Sequence, residues 1–214
     1  MRKSKLLLNE EVKRIVEISG GNFSSGKHLV VVDVQPEYQD GIYWLPEFID
    51  YLNQNYTELN NLTFFYNGAE TLGMIDIHDY KNWWYDNGLE EEIVYNAHYY
   101  DKGYAFFRYC RDSGIDEDSI SNLVKYMIAN DVNDSRELDK EFWNGFIDEY
   151  GGNDVRDLLE ISDDCLWVPD LMEEIITYNN ILVCGGGIND CLKEVEIALN
   201  ALNKPFQTLN NFTY

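Results

Sequence analysis

The run His28-Leu29-Val30-Val31-Val32-Asp33 decides the fold. It is short, continuous and rich in β-branched residues, the pattern of a strand covered on both faces in the middle of a parallel sheet. It ends on an acid. Working outward, Pro46 suits the first turn of a helix that places Phe48, Ile49 and Leu52 on one side. Leu62-Thr63-Phe64-Phe65-Tyr66 then reads as a second strand, closed by Asn67-Gly68. Strand, helix, strand is the βαβ unit, which joins parallel strands.

The unit recurs near the other end of the chain. Ile181-Leu182-Val183-Cys184 is another buried strand, followed by three glycines; Leu192, Val195, Ala198, Leu199 and Leu202 repeat at helical spacing, and Pro205-Phe206-Gln207-Thr208-Leu209 resumes an extended pattern. Alternation of this kind implies an α/β fold of three layers, α/β/α, with a mostly parallel central sheet. Leu8, Val12, Ile15 and Val16 predict an N-terminal helix over residues 6 to 18 that stops at Gly20-Gly21. The stretch 107–168 differs: it carries one helix at Ile120, Leu123, Val124 and Met127, a second at Phe142, Trp143, Phe146 and Ile147, and no strand until Leu166-Trp167-Val168. It reads as a helical insertion packed on one edge of a single domain, 1–214, because one core serves chains of up to roughly 250 residues.

Apolar residues at 45% and aromatics at 14% supply enough surface to bury, which excludes disorder. The 39 acidic residues against 16 basic ones give a formal net charge of -23. Such a surface repels phosphate backbones and anionic headgroups, so neither nucleic acid nor membrane is expected as a partner; the exception is a protein that imitates nucleic acid by displaying carboxylates. The four cysteines, Cys110, Cys165, Cys184 and Cys191, have neither zinc-site spacing nor the density of a disulfide scaffold, which fits reduced thiols in a cytoplasm. No apolar run approaches the roughly 20 residues of a membrane span, and Leu6-Leu7-Leu8 is too short for a secretory signal. A cytoplasmic location is the expectation.

Chemistry is expected first at Gly185-Gly186-Gly187-Ile188-Asn189-Asp190-Cys191-Leu192, between a buried strand and an amphipathic helix. Parallel sheets bind ligands outside the carboxyl ends of their strands. A cysteine at the start of the following helix sits among unpaired N–H groups and a positive dipole end, which favour thiolate over thiol. Cys191 is placed like a nucleophile.

This segment resembles the Gly-Val-Ala-Thr-Asn/Asp-x-Cys-Val signature of isochorismatase-like cysteine hydrolases, the superfamily that includes nicotinamidases. Val30-Val31-Val32-Asp33-Val34-Gln35 is similar to that family's first strand, and Lys102-Gly103-Tyr104-Ala105-Phe106 to its Lys-x-x-x-Ala-Phe segment, one residue shorter here. The resemblance implies an Asp-Lys-Cys triad acting on a small-molecule amide or related acyl compound. In it Asp33 is the general base, Lys102 stabilises the thiolate and Cys191 attacks the carbonyl. It also implies an oxyanion hole from the N–H groups of Gly187 and Cys191, beside a non-proline cis peptide at Gly186-Gly187. The composition, rich in Asn, Tyr and Asp, further resembles that of bacteriophage proteins.

Each residue also has an ordinary structural reading. Cys191 can be a packing residue behind a glycine turn, Asp33 a cap, and Lys102 the surface partner of Asp101. Family nicotinamidases hold a metal with Asp-x-His-x-x-x-His; Asp76-Ile77-His78 begins that pattern, but Asn82 replaces the second histidine. Two ligands are too few for zinc, so no metal and no cofactor is expected, and Asp76 and His78 read as a surface loop. Trp83-Trp84-Tyr85 with Tyr95, Tyr99 and Tyr100 either lines a substrate pocket or covers an interface, which leaves a homo-oligomer open; at least one of the tryptophans is expected against the insertion or a second subunit. The rival to the hydrolase is a binding protein that keeps the scaffold without turnover.

Overall fold

A computed structural model describes residues 26–69, 73–102, 110, 114–130, 132, 138–151 and 178–214. The expected N-terminal helix, the strand at Leu166-Trp167-Val168, Cys165 and the segment Gly103 to Phe106 lie outside the described residues. The elements in chain order are β1 (Lys27–Val32), α1 (Leu45–Asn55), β2 (Leu59–Tyr66), α2 (Ile77–Asp86), α3 (Glu91–Asn96), β3 (His98–Asp101), α4 (Glu117–Ala129), α5 (Lys140–Tyr150), β4 (Ile181–Gly185), α6 (Cys191–Ala201) and β5 (Phe206–Thr213). Short 3-10 turns at Pro36–Gly41 and Tyr56–Glu58 flank α1.

The five strands form one sheet in the order β3-β2-β1-β4-β5, and every pair is parallel. As its sequence implies, β1 is central, with β2 and β4 beside it: Val31 is in register with Phe64 on one side and Cys184 on the other. Successive residues of β1 point to opposite faces. Leu29 and Val31 join a core with α1, α2 and α3, whereas Val30 and Val32 join a second core with α4, α5 and α6. Both faces are covered, which is why the strand tolerates an unbroken apolar run.

The local signals behind the helices hold. Pro46 lies in the first turn of α1, whose buried residues are Leu45, Phe48, Ile49 and Leu52. Asp139 caps α5 by accepting from Phe142 N, and Gly151, at φ 78, takes a positive-φ conformation that suits glycine and ends it. The described part of the insertion is helical, but α4 and α5 join α6 on one face of the sheet instead of standing at an edge. Their buried residues, Leu123, Val124, Met127, Trp143 and Phe146, face the same core as Val30 and Val32.

The aromatic group does not form one pocket wall. Trp84 is fully buried in α2, 4.7 Å from the Phe64 ring, and Trp83 packs half-buried against the same core. Neither tryptophan meets the described part of the insertion, which lies across the sheet. Tyr99 and Tyr100 are neighbours in β3 and so point to opposite faces, Tyr99 onto Phe64 and Tyr100 onto Phe65. No described helix is long and apolar enough to cross a membrane.

Candidate active site

Strand order reverses between β1 and β4, and the crevice at such a switch point is where open parallel sheets bind ligands. All the residues described next follow the carboxyl ends of strands. Asp33 comes directly after β1 with φ 54, a left-handed conformation that aspartate tolerates better than most side chains. Its N–H donates to the Phe65 carbonyl at 2.8 Å, and its own carbonyl accepts from the Tyr214 hydroxyl at 2.8 Å. The carboxylate is thereby held inside the crevice, only 2% exposed.

Lys102 comes directly after β3 and is 4% exposed. Its Nζ lies 3.0 Å from Asp33 Oδ2 and donates to Asn67 Oδ1 at 3.1 Å. The alternative partner, Asp101, points elsewhere and accepts from Gly68 N at 2.7 Å. Lys102 is therefore not a surface lysine paired to its neighbour. The other oxygen of the pair, Asp33 Oδ1, is buried with no hydrogen-bond partner among the described residues.

The glycine turn brings in the third residue. Gly186 N donates to Val32 O at 2.6 Å, folding the turn back over the end of β1. Gly185 has φ 108, and a Cβ there would collide with the Val32 carbonyl oxygen, so both the torsion and the close approach demand glycine. No cis peptide occurs among the described residues, which corrects the expected cis bond at Gly186-Gly187. Positive φ at Gly185 and at Gly187 (φ 59) reverses the chain with trans peptides instead. Within the turn, the N–H groups of Gly186, Ile188, Asp190 and Leu192 donate to backbone carbonyls. Those of Gly187 and Cys191 donate to no backbone carbonyl among the described residues, and these are the two N–H groups assigned to an oxyanion hole from the sequence.

Cys191 is the first residue of α6 and is half-buried, whereas Cys110 and Cys184 are fully buried. Burial pushes the Cys191 thiol up, to about 12; Lys102 pulls it down, and Asp33 pushes it up again, each acting through its charge and as a hydrogen-bonding neighbour. Lys102 and Asp33 are thus paired directly, and both act on the Cys191 thiol. Against the expectation that the ammonium favours the thiolate, loss of water outweighs the pull of Lys102 and holds the thiol above its ordinary range. Burial acts to strip the proton from Lys102, but the Asp33 charge and hydrogen bond, with Cys191 as a further neighbour, outweigh it and hold the ammonium above the ordinary lysine range.

Four further residues complete the site, and none was given a role from the sequence, although Gln35 stands in the first-strand resemblance. Asn67, after β2, donates through Nδ2 to the Tyr38 hydroxyl at 2.9 Å while its backbone N–H donates to Gln35 Oε1 at 2.9 Å. Tyr214 reaches the turn because β5 bulges between Thr208 and Thr213, so that Tyr214 O accepts from Ile188 N at 3.0 Å. The available signal for Asn67 was the one that singled out Asp33, a polar residue closing an apolar strand. For Tyr38, Gln35 and Tyr214 only the folded crevice reveals the role.

Asp76 and His78 belong to a helix, not a surface loop. Asp76 Oδ1 accepts from His78 N at 2.7 Å as the N-cap of α2, whose Tyr80 and Trp84, four apart, are both buried. With an Asp oxygen spent on the cap and Asn82 in place of the second histidine, these residues do not fit the metal of the nicotinamidase pattern. Asp76→Ala is expected to lower stability by about 1 kcal/mol through loss of the cap, a shift that thermal melting would detect. An unchanged melting temperature would remove the capping role.

No family model, no curated protein and no solved structure matches this chain.

Proposed function

We propose that this protein is a cysteine hydrolase of the isochorismatase-like kind, acting on a small amide or related acyl compound. The observation that carries the reading is the convergence of Asp33, Lys102 and Cys191 from the carboxyl ends of β1, β3 and β4. Because burial holds the thiol above its ordinary range, its proton has to leave during attack, and Asp33 Oδ1, buried without a partner among the described residues, is the acceptor for it. Cys191 Sγ bonds to the acyl carbon as Asp33 takes the thiol proton, and the carbonyl electron pair moves onto oxygen. The N–H groups of Gly187 and Cys191 receive that oxyanion. On collapse the C–N bond breaks and Asp33 returns the proton to the departing amine, leaving a thioester. Water then attacks the thioester and gives a proton to Asp33; the C–S bond breaks, and sulfur recovers that proton as the carboxylic acid departs.

The test is ammonia release from a panel of small primary amides, with mass spectrometry of the Cys191 peptide to trap the acyl adduct. The net charge of -23 opposes anionic substrates, and Lys102 is already committed to Asp33 and Asn67. A neutral amide is therefore expected to exceed its carboxylate-bearing analogue by at least about tenfold in kcat/KM at low salt. Equal rates would remove the electrostatic selection. The high position of the thiol is the observation that favours the rival reading, a scaffold that binds without turnover. That reading takes over if no amide is hydrolysed and no adduct forms on Cys191.

A further inference from the structure

Asn67 is a buried polar side chain, 3% exposed, with both ends of its amide in use. Lys102 Nζ can only donate, so the amide oxygen must face it, as the 3.1 Å contact requires. The amide nitrogen must then face an acceptor, and it meets the Tyr38 hydroxyl oxygen at 2.9 Å. The backbone N–H of Asn67 is held by Gln35 Oε1 at 2.9 Å, two residues beyond Asp33. The orientation of the amide is therefore forced from both of its ends while its backbone is held as well, and its oxygen is a fixed, uncharged anchor for the ammonium.

An ammonium beside a buried carboxylate is drawn onto that carboxylate. At the Asp33 site this would take its charge away from the sulfur, where a cation matters as the thiol gives up its proton. We propose that Asn67 is a positioning residue that holds the Lys102 ammonium between Asp33 and Cys191, with Tyr38 fixing the far end of its amide. The inference rests on the reading of Cys191 as the nucleophile. It adds a neutral third support, set by the end of β2 and by the 3-10 turn after β1, to the triad.

The experiment uses the full chain and the variants Asn67→Ala, Asn67→Asp and Tyr38→Phe. Cys191 is alkylated with iodoacetamide over a range of pH and quantified by peptide mass spectrometry, with thermal melting measured alongside. Asn67→Ala is expected to move the pH profile of Cys191 labelling upward by about one unit, which slows labelling about tenfold at a given pH below the thiol's titration. Asn67→Asp keeps the shape and the acceptor but adds a charge that draws the ammonium off sulfur, so it should label more slowly still. Tyr38→Phe should shift the profile in the same direction by less.

The order wild type, Asn67→Ala, Asn67→Asp in falling rate is one that loss of packing alone does not produce. If Asn67→Ala fails to fold, the near-isosteric Asn67→Asp decides alone. Labelling of Asn67→Asp at the wild-type rate, or faster, overturns the proposal. Labelling needs no turnover: the expected order in a protein that hydrolyses no amide keeps the role of Asn67 and removes the hydrolase reading. An unchanged profile in an active enzyme does the reverse.

Discussion

Asp33→Asn is expected to slow acyl transfer by about a thousandfold and, in the same protein, to make Cys191 easier to alkylate. The two effects have opposite signs because, in the proposed hydrolase, the carboxylate does two things. As a base it accepts the thiol proton during attack, and an amide cannot. As a charge it opposes formation of the thiolate, one of the influences that raise the Cys191 thiol to about 12. Removing the charge leaves burial pushing the thiol up and Lys102 pulling it down, so its titration moves to lower pH. The thiolate fraction at about pH 8 then rises by tenfold for each unit of that movement. The amide oxygen of Asn can still accept from Lys102 Nζ, so the ammonium keeps its place. The measurement is a pair of rates on one sample, ammonia release and iodoacetamide labelling of Cys191, with Cys191→Ala as the zero for both. If labelling slows in step with turnover, Asp33 acts by holding Lys102 and is not the base.

That opposition of roles was not legible in the sequence, although the residues were. β1, β2 and β4 were readable because strands covered on both faces must be continuously apolar, and their carboxyl ends then stand out as the first polar residues. Asp33 falls there, and Cys191 opens the helix that follows the glycine turn after β4. β3 was missed because His98-Tyr99-Tyr100-Asp101 is an edge strand of four residues, exposed or half-buried throughout, with no alternation that a pattern can catch. α2 was missed for a different reason: Trp83-Trp84-Tyr85 hides the helical period, and Asp76 and His78 look like ligands when one is in fact capping the other's backbone. The cis peptide was expected from resemblance, and the two positive-φ glycines made it unnecessary. The protonation of Cys191 depends on burial, which a helix terminus in the sequence does not reveal.

The partner of Lys102 shows the same gap between adjacency in sequence and in space, and it carries the largest expected effect on stability. Lys102→Met is expected to cost about 3–5 kcal/mol, because it leaves the Asp33 carboxylate buried without its counter-charge. For a chain of this size that corresponds to a fall in melting temperature on the order of 10 °C. Methionine matches the aliphatic stem of lysine, so little of the loss would come from packing. Asp33 and Lys102 are both nearly inaccessible, at 3% and 5% of their side-chain surface, so water cannot replace the missing partner. Asp33→Asn in the same background removes the stranded charge and suits the left-handed backbone at φ 54. The double variant is therefore expected to recover more than half of the deficit. Asp101→Asn, which alters the carboxylate adjacent in sequence, should cost no more than about 1 kcal/mol, the ordinary value of the single hydrogen bond it gives up at Gly68 N. Denaturant melts of the four variants, Lys102→Met, Asp33→Asn, their combination and Asp101→Asn, distinguish the cases. If Lys102→Met costs no more than Asp101→Asn, or if the double variant loses the sum of its two single losses, the buried Asp33–Lys102 pair is not coupled in the folded protein and the triad geometry loses its foundation.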